Sequence, residues 1–277
     1  MIKVSIEHLG VPTLSGDSMR VLQLLGSNNL NFADLANALE QDPKMATAML
    51  RYANSPMYRR GKTIGNVREA LNLLGVTNVR LAVLSNSLRS FTLNCGVEAC
   101  VYLNHYCMSV ATLSRQLAIR CCDGQEENVE ITAMMSGMES MVLASNFSNE
   151  YSVLFNEAKS TKVSLKELEE THFILGQEKF AAWLARHMRL TPLMAQVLVT
   201  LKQRSRIVRL NSTVDYYCGV IRLAQVLVQE DPLEGYEMTV HQVPESRAQL
   251  QELFVLSDED IDNIKAGCHQ IISAIHN

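Results

Sequence analysis

No apolar run in this 277-residue sequence is long enough to cross a membrane; the best stretches are broken by polar residues before the roughly 20 positions a spanning helix needs. Positive charge is not in excess either. The formal net charge is -4 and the pI about 6.0, so no global basic field draws the chain to nucleic acid or to acidic lipid. Arg51, Arg59, Arg60 and Lys62 cluster in sequence, but a solvated loop after a helix accounts for them. The opening stretch Met1–Gly10 lacks the charged-then-apolar pattern of a secretion signal. The expectation is a cytoplasmic protein, with no membrane or nucleic-acid partner, whose seven cysteines are reduced.

Several catalytic patterns are missing as well. There is no glycine-rich phosphate loop and no Gly-x-Ser-x-Gly elbow. The histidines are His8, His105, His172, His187, His241, His269 and His276. None is followed by Asp, none adjoins another, and no His-Glu-x-x-His occurs. Cys95, Cys100, His105 and Cys107 contain zinc-binding residue types, but not at the spacing of a Cys-x-x-Cys knuckle, and a helix through them splays the side chains. Buried, inert cysteines are expected there. Cys121 and Cys122 are chain neighbours and favour no particular bridge. Repeats, low-complexity tracts and hairpin signals are absent. No cofactor is expected.

What is present is helical patterning. The 47% hydrophobic and 19% charged composition suits a folded protein, and the length suits one large domain or two smaller ones. Val4 and Ile6 alternate and suit either a brief strand or an arm. Ser15 caps a helix that ends at Gly26, and Asn31 caps another to Leu39 with Phe32, Leu35 and Leu39 facing in. Asp42-Pro43 opens a third, with Met45, Met49 and Tyr52 on one face; Asn54-Ser55 ahead of Pro56 closes it. Asn66-Val-Arg-Glu69 has the form of a capping box, Gly75 that of a left-handed terminator, and a helix follows from Thr77 to about Leu88. Residues 89–97 read as a loop. Helices follow over Glu98–Arg120, Val129–Leu143, Tyr151–Ala158, from the Ser164 capping box, over Gly176–Met188, and from Thr191-Pro192 to Lys202. Beyond the basic, β-branched segment 204–210, helices run from Ser212 to Gln229 (stopped by Asp231-Pro232), over Glu245–Phe254 and over Asp258–Ile275, with Gly235–Pro244 a loop. About a dozen helices with little or no sheet make an all-α, irregular multi-helix bundle. The Met134, Met135, Met138 and Met141 run reads as core filling.

Pro12, Leu14, Asp42-Pro43, Leu50-Arg51, Ala53-Asn54-Ser55 and Ala70 to Leu74-Gly75, in this order and spacing, resemble the HDOD domain, a bacterial regulatory relative of the HD metal-dependent phosphohydrolases. The resemblance is clear over the first third, fainter to about residue 205, and absent beyond. It implies an HDOD-like helical domain over 10–205 and a C-terminal helical extension over 206–277 that packs on it. The signature residues Asp42, Pro43, Arg51, Asn54, Ser55 and Gly75 are then either structural or part of an interaction surface. For Asn54 and Ser55 the structural role is a helix end whose side chains satisfy backbone groups.

The family's enzymes hold metal through a His-Asp pair in a Gly-Leu-Leu-His-Asp-Ile-Gly helix. Here Gly137-Met-Glu-Ser-Met-Val-Leu143 is the nearest match and puts Ser140 and Met141 at those positions. His105 falls one residue away from the first expected ligand, and Lys202-Gln203 stand where a His-His would. The resemblance therefore implies a non-catalytic signal-transduction protein that binds an unidentified regulatory partner protein. A metal-dependent phosphohydrolase or phosphodiesterase with atypical ligands is the alternative. A sensor of a nucleotide second messenger is a third reading.

Overall fold

Side-chain oxygens set the helix starts in this chain. Asp42 Oδ1 accepts from the Lys44 and Met45 amides at 2.9 and 3.2 Å, and Asn31 accepts from Ala33 at 2.9 Å. Ser164, Thr191 and Ser246 do the same for Glu167, Met194 and Gln249. Each contact satisfies an N–H that the first turn of a helix leaves without a partner. These contacts belong to a computed structural model describing residues 1–10, 16–25, 30–55, 58, 61–122, 124–161, 163–203, 205–230 and 238–276, with 93, 94 and 269–276 described in backbone only. The positions Pro12, Leu14, Ser15, Gly26, Pro56, Arg59, Arg60, Asp231, Pro232 and Gly235 lie outside the described residues.

The fold is all-α, with fourteen α-helices and one two-stranded sheet among the described residues. No described helix is long and apolar enough to cross a membrane. The chain divides into two compact units. The first comprises Pro12–Asn94 and Gly267–Asn277, and the second Met1–Val11 and Cys95–Ala266. Residues 206–266 thus fall in the unit that holds 95–205.

In the first unit, α1 (Gly16–Leu25) packs on α2 (Phe32–Glu40), and α2 on α3 (Pro43–Ala53). Val21, Leu22, Leu35, Leu39, Met45 and Met49 are buried, as their helical spacing predicts. Phe32 is not: it is 44% exposed, because the first residue of α2 projects past the end of the packed face. α4 (Val67–Cys95) is broken at Gly75, where φ is 69° and ψ 175°. A side chain is strained at that φ, so glycine permits the break. The break follows the expected terminator. The expected loop over 89–97 is instead the end of α4, since no breaker occurs before Gly96.

In the second unit, α5 (Glu98–Cys121) is the central element. It lies against α6 (Glu126–Ser136), α7 (Met138–Asn146), α8 (Ser148–Ser160) and α12 (Thr213–Glu230). α9 (Leu165–His172), α10 (Gln177–His187) and α11 (Pro192–Leu201) follow α8; α11 packs on α6, α10 and α12. α13 (Arg247–Phe254) and the first residues of α14 (Asp258–His276) complete the unit. The strand at the start of the chain is β1 (Ile2–Lys3), not Val4 and Ile6, and it pairs in parallel with β2 (Phe173–Ile174). Residues Ile6–His8 form a 3-10 turn. Two-residue strands are too short to leave an alternation in the sequence.

The helix expected over Val129–Leu143 is two helices, α6 and α7, meeting at Gly137. A Cβ there would lie 2.4 Å from Cys107 Sγ, so glycine lets this junction close on α5. Cys95 and Cys100 form a disulfide, where reduced thiols were expected; the turn at Gly96 (φ 67°) brings their Cα atoms to 6.6 Å. Gly137→Ala is expected to lower stability by about 1–3 kcal/mol through overpacking. Cys107→Ala in the same chain should relieve much of that loss; urea unfolding of the single and double variants reads it.

Candidate functional site

The six signature positions of the first unit do mostly backbone work. Asp42 and Pro43 are the N-cap and first residue of α3. Asn54, at the C-cap, donates from Nδ2 to the carbonyls of Leu50 and Ile64 at 2.8 and 2.9 Å, and its Oδ1 accepts from the Ile64 amide at 2.8 Å. It thereby ties the end of α3 to the segment ahead of α4. Ser55 continues the turn: its amide donates to Tyr52 O and its carbonyl accepts from Tyr58 N, each at 3.1 Å. Tyr58 in turn donates to Asn78 Oδ1 at 2.8 Å. Arg51 is exposed on the last turn of α3, where partial burial and the Arg89 guanidinium lower its pKa. Gly75 makes the break in α4.

Ser140 and Met141 lie in the second unit on α7, at 1% and 0% exposure. Between Glu130 and Glu150 the sequence has one charged residue, Glu139, and α7 buries it at 3% exposure. A buried carboxylate needs charged or hydrogen-bonded partners. Two lysines supply them. Lys166 Nζ, from α9, is 2.9 Å from Glu139 Oε1 and 3.0 Å from Glu169 Oε2. Lys202 Nζ, at the C-cap of α11, is 2.9 Å from Glu139 Oε2 and 3.3 Å from the Ser136 carbonyl. The Tyr151 hydroxyl donates to Glu169 Oε1, and Ser140 hydrogen-bonds the same hydroxyl. Ser140, Tyr151, Glu169, Lys166, Glu139 and Lys202 thus form one continuous polar chain.

The electrostatics follow from that placement. Burial alone would raise the Glu139 carboxyl, but Lys166 and Lys202 outweigh it and hold it at about 2. Burial would lower the Lys166 ammonium, yet Glu139 and Glu169 raise it above its ordinary value. Glu139 is therefore an anion and Lys166 a cation near neutral pH.

The segment 238–244 runs beside this network. Its Thr239 and Val240 carbonyls accept from the Leu165 and Lys166 amides at 2.8 and 3.0 Å, which satisfies the first turn of α9. His241 stacks on Tyr106 with ring centroids 5.6 Å apart, and its Nδ1 is 3.2 Å from the Tyr106 hydroxyl. Burial, then Lys202 and Lys166, push its imidazole down to about 3, so it is neutral. Lys166, Lys202, Arg222, Gln225, His241 and Val243 line a cleft of about 60 Å³.

This donor set does not fit the divalent metal of the related phosphohydrolases. Ser140 is engaged by a tyrosine, Met141 offers a thioether where hard or borderline cations take carboxylate or imidazole, and both Glu139 oxygens face ammonium groups. Of the residues in the network, sequence reasoning singled out Ser140 and Lys202; Glu139, Lys166, Glu169 and Tyr151 went unnoticed. The isolated charge of Glu139 in a buried methionine-rich run was the available signal.

The HDOD domain family model matches residues 11–202. Among solved structures, an HDOD domain protein of unknown function from Geobacter sulfurreducens is 15% identical, with TM-score 0.75, over 98% of this chain and 94% of that one. A protein named for signal transduction from Marinobacter aquaeolei VT8 is 16% identical, with TM-score 0.71, over 98% of this chain and 60% of that one. A protein named as a metal-dependent phosphohydrolase from Shewanella amazonensis SB2B is 16% identical, with TM-score 0.66, over 97% and 93%. At these identities the likeness is one of fold. No curated protein sequence gives a significant match.

Two substitutions check the local arguments. Asn54→Ala strands both polar groups of Ile64, and a loss of about 2–3 kcal/mol is expected, seen as a lower melting temperature. Glu139→Gln leaves two buried lysines without their shared anion and is expected to cost about 3–5 kcal/mol. Adding Lys202→Met should recover part of that loss in urea unfolding; strictly additive losses would mean the two groups are not coupled.

Proposed function

The chain belongs to the HDOD domain family, and from that premise we propose that it is a non-catalytic signal-transduction or regulatory protein that acts by binding another protein. One observation carries the reading: Lys166 and Lys202 bracket Glu139 at the positions beside Ser140 and Met141. A hydrolytic HD centre uses a divalent cation to generate its nucleophile from bound water. In this chain the ammonium groups already neutralise the nearby carboxylates, and a divalent cation brought among them would meet repulsion instead of ligands. The network replaces the metal's charge with side chains and gives up its chemistry.

Nucleotide binding within the lysine–carboxylate network itself is disfavoured by size. Small-molecule sites run to about 300–1,000 Å³, and the cleft beside the network offers about 60 Å³. Its cations are already paired with Glu139, Glu169 and Glu245. The family's regulatory associations and a centre sealed by its own residues agree with a domain that presents a surface to a partner.

Elemental analysis of protein purified without added metal tests this reading. The expected result is iron, manganese and zinc all far below one equivalent, no phosphate-ester hydrolysis when each is added back, and no thermal shift with a cyclic dinucleotide. Near-stoichiometric metal together with metal-dependent hydrolysis would overturn it.

A further inference from the structure

Arg222 of α12 and Glu245, the residue ahead of the N-cap of α13, are both buried, at 2% and 4% exposure, and pair at 2.7 Å. Their other hydrogen bonds go to one stretch of backbone. Arg222 donates to the carbonyls of Gln203 and Ser205 at 2.9 and 3.0 Å. Glu245 Oε1 accepts from the Ile207 amide at 2.6 Å. These three residues are spaced by two, the period at which an extended chain turns its backbone groups to the same edge. The ion pair thus stands in for a neighbouring strand along the inner edge of the segment. Further on, Leu210 fixes the segment to α12: a Cβ at Gly219 would lie 2.9 Å from the Phe254 ring and 3.7 Å from Leu210, so glycine lets both side chains close on the helix.

The opposite edge is bare. In an extended chain the backbone groups of Arg206 and Val208 point away from those of Ser205 and Ile207. Neither residue makes a hydrogen bond among the described residues, and Val208 is 77% exposed. A segment held on one edge and open on the other is a template for a further strand. Its sequence, Arg206-Ile-Val-Arg-Leu210, has the β-branched content of a strand, and only extended backbone offers donors and acceptors at the matching spacing. Charge narrows the occupant. Arg206 and Arg209 are exposed and have no ion-pair partner among the described residues. A second copy of the segment would bring arginines against arginines, and like charges across paired strands are destabilising. A strand that carries carboxylates finds both cations open.

We propose that this edge receives an extended, acidic segment of a partner protein, which adds to it as a β-strand: the partner's backbone bonds the amide and carbonyl groups of Arg206 and Val208, and its carboxylates face Arg206 and Arg209. The proposal rests on the protein-binding reading above and names the form its partner presents.

The test uses the full chain, isotope-labelled on its amides, titrated with the blocked heptapeptide Thr-Val-Glu-Val-Glu-Val-Thr and with the same peptide carrying lysine for both glutamates. The Arg206 and Val208 amide resonances are expected to move with the acidic peptide, with the lysine peptide binding about tenfold more weakly. Val208→Pro removes an outward amide that makes no bond within the chain, and the residue before it is already extended. It should leave the melting temperature where it is and weaken binding about tenfold. Arg209→Glu, an exposed change, should reverse the preference between the two peptides. No movement of those amides, equal binding of the two peptides, or undiminished binding by the Val208→Pro variant overturns the proposal. So does self-association that Val208→Pro abolishes, which would make a second copy the occupant. A chain that hydrolyses phosphate esters yet binds the acidic peptide would defeat only the non-catalytic reading. An inert, metal-free chain that ignores the peptide would defeat only this one.

Discussion

A single buried negative charge organises the second unit. Helix α7 is buried over its whole first two turns, and Glu139 is its one ionised side chain. Removing a carboxylate from water costs several kcal/mol unless close partners repay it. The partners come from α9 and from the end of α11, so these elements must converge on α7 for the charge to be tolerated. Lys166 is held by a second carboxylate, Glu169, and Glu169 by Tyr151 of α8. Four helices are thereby placed by one chain of contacts. Such networks add little net stability, since desolvation offsets attraction, but they disfavour arrangements that leave any member alone.

A different economy governs the links between helices, where asparagines act as short staples. Asn54 holds both polar groups of Ile64. Asn146 treats Gly10 in the same way, donating to its carbonyl at 2.6 Å and accepting from its amide at 2.7 Å. Each asparagine also donates to the carbonyl four residues earlier, at Leu50 and Val142. A carboxamide has one acceptor and two donors on a short stem, so it can end a helix and pair with an extended strand of backbone together. A carboxylate has no donor, and a hydroxyl has one where this arrangement uses two.

Helix starts were the most legible part of the sequence, because a cap is local: Asn31, Asp42, Ser164 and Thr191 each bind an amide two or three residues away. The all-α class followed from those caps and from helical spacing, and the HDOD signature was readable from residues that mostly do backbone work. Distant pairings were not legible. Nothing near Glu139 announces lysines 27 and 63 positions later, and nothing near Ile2 announces Phe173. The break at Gly137 was missed because its cause, the sulfur of Cys107, lies on another helix. The Cys95–Cys100 bridge was missed because the expected compartment, and not the local turn, decided the reading.

The pairing of β1 with β2 joins positions about 170 residues apart. During synthesis the first strand leaves the ribosome long before its partner exists. At roughly 5–20 residues per second, that interval is about ten to thirty seconds. Over that time the apolar faces of Ile2 and Val4 have no native strand to lie against, while residues 12–94 have all been made. The last act in building the sheet is therefore capture of a waiting arm, and the two-residue length of the ladder keeps that arm from offering a long sticky edge in the meantime.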